Sequence, residues 1–156
     1  RAVRHALAAD PRRLPRLLRG GGRHLALRLH DQQVDQPAQD GLDEFSIAAV
    51  SNVCELHAGR ITRYQVSPED VGLTRASLDL IKVHDVQDSV ALIQALLAGE
   101  QGAAADIVAF NAGAAIYVAG LANSVAHGVE LASQQLASGA AADKLTQLIA
   151  FTQQQA

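Results

Sequence analysis

The 156 residues fit one domain or a piece of a larger one. Apolar residues make up 49% and aromatic ones only 3%, so a core is within reach and must be aliphatic. A single cysteine, Cys54, excludes an internal disulfide and a cysteine metal cage, and suits a reducing, cytoplasmic setting.

The formal charge of −3 hides an asymmetry: residues 1–30 carry eight Arg against one Asp, and the rest of the chain is net acidic. A basic arm can serve nucleic acid or an anionic surface. With no aromatic residue interleaved to stack on bases, it reads instead as a solvated helix face or a segment parted from its neighbours. There is no methionine, and a chain opening on Arg1 is expected to be a fragment or a processed product. No signal-peptide h-region is visible. The longest apolar stretch, Ile107 to Ala122, contains Asn111 and two glycines and falls short of the roughly 20 residues of a membrane helix. Neither membrane nor nucleic acid is an expected partner.

Residues 1–22 are broken by Pro11, Pro15 and Gly20-Gly21-Gly22, with room for a short helix over residues 12–18. His24 to Leu29 alternates weakly as a strand would, and Asp31 to Gln39 is a polar loop. From Phe45 the period is two: Phe45, Ile47, Ala49 and Val53 on one face, Ser46 and Asn52 on the other. His57-Ala58-Gly59 is a turn and residues 61–66 the return, so residues 45–66 are predicted to form a β-hairpin. Ser67-Pro68-Glu69-Asp70 predicts a capped single turn.

The period becomes helical at residue 85. Asp85 caps a helix with Val86, Val90, Ile93 and Leu97 inward, closing at Gly99. Asp106 opens a second, apolar nearly all round and hence buried on most sides. Ser124 caps a third with Val125, Val129, Ala132 and Leu136 inward. A fourth runs from Ala140 to Thr152 with Leu145, Leu148 and Ile149 inward, leaving residues 153–156 as a frayed tail. The expected class is α/β: a mixed sheet with a β-hairpin, covered by helices.

Four stretches fall in one order: Asp40-Gly41-Leu42-Asp43-Glu44-Phe45-Ser46; Glu55-Leu56 through Gly59 to Tyr64 and Ser67-Pro68-Glu69-Asp70-Val71-Gly72-Leu73; Asn111-Ala112-Gly113-Ala114-Ala115-Ile116-Tyr117-Val118-Ala119-Gly120; and Gly128-Val129 with Ala132, then Ser138-Gly139-Ala140. Together they resemble the C-terminal part of the anthranilate phosphoribosyltransferases, whose fold is shared with nucleoside phosphorylases. The resemblance implies that residues 40–152 are the C-terminal part of the large α/β domain of a two-domain enzyme. Residues 1–39 match poorly, and no site residue is carried over from them.

Two adjacent carboxylates, Asp43 and Glu44, stand on a loop before a strand and can turn towards one space. Alone, such a pair is an ordinary solvated loop. Mg²⁺ binds through one or two carboxylates together with substrate phosphates, and the resemblance matches Asp43 and Glu44 to the family's Mg²⁺-binding pair. The activity it implies is transfer of phosphoribosyl from phosphoribosyl pyrophosphate to anthranilate, in tryptophan biosynthesis, by a cytoplasmic homodimer. The family's Gly-Thr-Gly-Gly-Asp pyrophosphate loop is missing, and so is the helical domain through which it dimerises. Gly20-Gly21-Gly22, followed by Arg23-His24, is no substitute. The chain alone is therefore expected to be inactive. Cys54 reads as a small core residue, His127 as a helix-surface histidine, and Asn111 as a side chain bonding local backbone. Competing expectations are a pyrimidine-nucleoside phosphorylase relative and a non-enzymatic remnant or basic-arm binding module.

Overall fold

In a computed structural model the backbone is described for residues 24–27, 42 and 44–154. The anticipated helix over residues 12–18, the loop over residues 31–39 and Asp43 lie outside the described residues.

Three strands form one antiparallel sheet in the order β1 (His24–Leu27), β2 (Ser51–His57), β3 (Arg60–Val66). The β2–β3 hairpin closes on Ala58-Gly59, with His57 paired to Arg60. Both turn residues take positive φ, 50° and 78°, which matches the right-handed twist of the flanking strands. The strand begins at Ser51, later than the sequence pattern suggested. Residues 45–50 instead bend around Ser46, whose Oγ accepts from the amides of Ala48 and Ala49. Phe45, Ile47 and Ala49 are still buried in alternation, but Ser46 is buried too, because its hydroxyl organises the turn.

After the hairpin, Ser67 and Asp70 cap a 3-10 turn at Glu69–Val71 reciprocally: the Asp70 amide donates to Ser67 Oγ, and Ser67 N donates to Asp70 Oδ2 at 2.8 Å. A second 3-10 turn spans Leu78–Ile81. Four helices follow: α1 (Val86–Leu97), α2 (Ala103–Val118), α3 (Val125–Ala137) and α4 (Ala140–Gln153). Asp85 caps α1 by accepting from the Asp88 amide, and Ser124 caps α3 by accepting from that of His127, both as the sequence predicts. Helix α2 starts at Ala103, one turn before the expected Asp106, which lies in its first turn.

Helices α2 and α3 cover the sheet. Their shared core holds Phe45, Val53, Val66 and Val71 with Ala105, Ala109, Phe110 and Ala114 of α2 and Val125, Val129, Ala132 and Leu136 of α3. The four inward residues expected of α3 are all buried. Two expectations are corrected. Helix α1 turns Val86, Val90 and Ile93 outward and meets the core through buried Leu96 and, as expected, partly buried Leu97. Helix α4 buries no residue, and Leu145, Leu148 and Ile149 are exposed. An apolar stripe goes inward only where a partner surface meets it, and α1 and α4 lie at the margin of this core. Helix α2 is also less enclosed than expected, with Val108 at 40% exposure. None of the helices among the described residues is long and apolar enough to cross a membrane.

The tightest packing is glycine on glycine between α2 and α3. A Cβ on Gly113 would stand 2.4 Å from Val129 N, and one on Gly128 would stand 2.1 Å from Gly113 O. Both contacts are with backbone, so no side chain can swing aside. Gly113→Ala or Gly128→Ala should therefore lower stability by about 1–3 kcal/mol through overpacking, although alanine in an open helix would raise it by about 1 kcal/mol. Urea unfolding of the two variants measures the sign.

Candidate functional site

The acidic stretch enters the fold through Phe45. Its ring is 2% exposed and stacks on Phe110 of α2 with centroids 4.5 Å apart and planes inclined by 22°. Its backbone is held by the next residue of the same helix: Phe45 N donates to Asn111 Oδ1 at 2.9 Å, and Asn111 Nδ2 donates to Phe45 O at 3.0 Å. The second Nδ2 proton goes to Ile107 O, also at 3.0 Å. The amide orientation follows from these partners, because only the nitrogen can face two carbonyls. The sequence led us to expect Asn111 on local backbone. It has that bond, and in addition a long-range pair across 66 residues.

Glu44 is the residue before this anchor, and its side chain is exposed. Asp43, the other predicted ligand, lies outside the described residues. Downstream, Ser46 N donates to Ser51 Oγ, Ala76 N donates to Ile47 O, and Arg75 Nη1 donates to Ala48 O at 3.1 Å. Arg75 itself forks onto Glu69, with Nε to Oε1 and Nη2 to Oε2 both at 3.0 Å. Hydrogen bonding to that guanidinium holds the Glu69 carboxyl down at about 2. Glu69 is thus committed to a structural pair on the surface. Glu44 therefore projects from a loop tied to α2 on one side and to the 69–76 segment on the other.

Among the described residues no three His, Cys, Asp or Glu side chains converge as a metal cage. A closed protein cage is not what Mg²⁺ needs. A hard carboxylate oxygen on a fixed, open loop fits the mode in which one or two carboxylates share the ion with water and phosphate. Cys54 is buried, as expected for a core residue. His127 Nδ1 accepts from the Asn123 amide at 3.4 Å and so belongs to the start of α3.

One polar cluster was missed in the sequence. Glu55 of β2 accepts from Tyr64 of β3 at 3.1 Å and from Tyr117 of α2 at 2.7 Å, one oxygen to each hydroxyl. It joins hairpin and helix beside the core. The available signal was a carboxylate among the buried residues of a strand and a tyrosine on a helix of small residues, but their pairing depends on the docked geometry.

The family model described as "Glycosyl transferase family, a/b domain" matches residues 26–142. The anthranilate phosphoribosyltransferase of Thioalkalivibrio sulfidiphilus (strain HL-EbGR7) is 51% identical over 115 residues, covering 74% of this chain and 34% of that protein. Among solved structures, anthranilate phosphoribosyltransferase (TrpD) from Thermus thermophilus superposes with a TM-score of 0.66 at 40% identity, covering 72% of this chain and 33% of that one. A Saccharomyces cerevisiae anthranilate phosphoribosyltransferase variant with Mg bound superposes with a TM-score of 0.60 over 70% of this chain and 32% of its own; at 19% identity it shows a shared fold. The chain spans about a third of the length of the relatives it matches.

Burial, reinforced by the negative Glu55, pushes the Tyr64 hydroxyl well above its ordinary value. The folded state thus keeps a proton that the unfolded chain releases near pH 10. The resulting stability is full below about pH 10 and is lost as pH rises towards the raised value. Alkaline unfolding should show this loss, and Tyr64→Phe should flatten it while costing about 1 kcal/mol at neutral pH for the missing hydrogen bond. Thermal denaturation across pH 8–12, a range set roughly by the ordinary tyrosine value, reads both effects.

Proposed function

We propose, since this chain belongs to the glycosyl transferase family, that it supplies the magnesium-binding corner of an anthranilate phosphoribosyltransferase, acting on phosphoribosyl pyrophosphate and anthranilate in the cytoplasm. The observation that carries this reading is the placement of Glu44: an exposed carboxylate immediately before a backbone position fixed by α2, in a chain whose relatives bear that enzyme's name. Asp43 and Glu44 are the residues proposed to hold Mg²⁺.

Mg²⁺ bound there would neutralise charge on the departing pyrophosphate as the amine of anthranilate takes its place on the sugar. This chain's own part is orientation. The anchored backbone at Phe45 limits how far the loop must reorder when the diphosphate arrives. The residues that would cradle the diphosphate and receive anthranilate are assigned to the part of the relatives that this chain does not span. Dimerisation through a region beyond this chain belongs to the same proposal.

The 156-residue chain alone is expected to form no phosphoribosylanthranilate from anthranilate, phosphoribosyl pyrophosphate and Mg²⁺, followed by loss of anthranilate fluorescence. It is expected nonetheless to bind Mn²⁺ together with phosphoribosyl pyrophosphate, weakly because the diphosphate is held only through the metal, measured by water-proton relaxation, and Glu44→Gln should abolish most of that binding. Unchanged binding in the variant, or a preference for thymidine over phosphoribosyl pyrophosphate, would overturn the assignment.

A further inference from the structure

The geometry points to Asn111 as a positioning residue for the Glu44 carboxylate, an inference that rests on the reading of Glu44 as a magnesium ligand. Asn111 is the one amide side chain on α2, whose other residues are Ala, Gly, Val, Ile, Phe, Tyr and one Asp. It is part-buried, and both of its Nδ2 protons and its Oδ1 are engaged. Two of those three bonds go to the N–H and C=O of a single residue, Phe45. A neighbouring β-strand would offer the same pair of partners, but here one side chain supplies both.

The consequence for Glu44 is geometric. The amide clamp sets the orientation of the Phe45 peptide groups, and the ring stack on Phe110 fixes the residue's distance from α2. The peptide linking Glu44 to Phe45 is therefore held at its nitrogen end. Rotation of that peptide would sweep the Glu44 side chain through a wide arc, and the clamp removes that freedom. An apolar residue of similar size at 111 would preserve the packing. It would also strand the N–H and C=O of a residue 2% exposed, so the loop would have to shift to find water. Asn111 touches no substrate in this reading and acts only through the backbone of residue 45.

The test compares four variants of the full 156-residue chain. The probe is Mn²⁺ with phosphoribosyl pyrophosphate, measured by water-proton relaxation well below each melting temperature. Asn111→Leu removes the clamp at similar volume. Asn111→Ala removes it with space for water, and carries the comparison if the leucine variant does not fold. Val129→Ala lowers stability from the core of α3 without touching a loop hydrogen bond. Glu44→Gln reports on the ligand itself. Positioning predicts a weakening of about tenfold for the Asn111 variants, the scale seen when groups supporting a metal ligand are lost, with Val129→Ala binding like the parent chain. If the Asn111 variants bind like the parent while Glu44→Gln does not, Asn111 is a structural contact alone and the inference fails. Equal weakening in Val129→Ala also overturns it, because general destabilisation would then account for the effect. If Glu44→Gln binds like the parent, it is the magnesium reading that fails.

Discussion

The backbone directly after Glu44 is held by a side-chain amide paired with a backbone residue 66 positions away in sequence. A loop leaving a buried aromatic must satisfy its own N–H and C=O, since stranding them costs more than most single contacts supply. Asn111 meets that requirement from a helix with little else to offer. The constraint has a second half. For the amide to reach Phe45, α2 must sit close against residues 45–51, so the packing of α2 determines the geometry of the loop.

That packing rests on small residues. Gly113 and Gly128 let the backbones of α2 and α3 touch, and the alanines of α2 let Phe110 be enclosed completely. With almost no aromatic bulk in the chain, the core gains its density from close approach rather than from large rings. The hairpin is brought into the same body by Glu55, whose two oxygens take one tyrosine from β3 and one from α2. The Arg75–Glu69 fork closes the far side of the loop. Residues 45–48 are thereby tied to α2 through Asn111 and to the 69–76 segment through Arg75.

What the sequence revealed follows the range of the interaction. The caps Asp85 and Ser124 and the turn at Ala58-Gly59 depend on residues within a few positions, and all three stand where expected. The inward face of α3 was legible because α3 lies at the centre of the helical layer. The faces of α1 and α4 were not. Their apolar residues follow helical spacing, but α1 meets the core at its end, through Leu96 and Leu97, and α4 near its start, at Ala141, so the pattern alone placed Val86, Val90, Ile93, Leu145, Leu148 and Ile149 inward where they are exposed. Residues 45–50 mimicked a strand because a serine-centred turn buries alternate residues as a strand does. Asn111 and Glu55 were hidden for a third reason: both work through partners that only tertiary docking brings near. Of the predicted metal pair, Glu44 stands exposed beside the clamp and Asp43 lies outside the described residues.

Hydrogen exchange at the Phe45 amide tests the clamp directly, because that proton's partner is Asn111 Oδ1 and no backbone ladder shares the load. In the parent chain the amide should exchange slowly, and in Asn111→Leu it should exchange quickly, while the Val53 and Cys54 amides of β2 keep their protection. Fast exchange at Phe45 in the parent chain, or unchanged slow exchange after the substitution, would contradict the claim that Asn111 holds the loop.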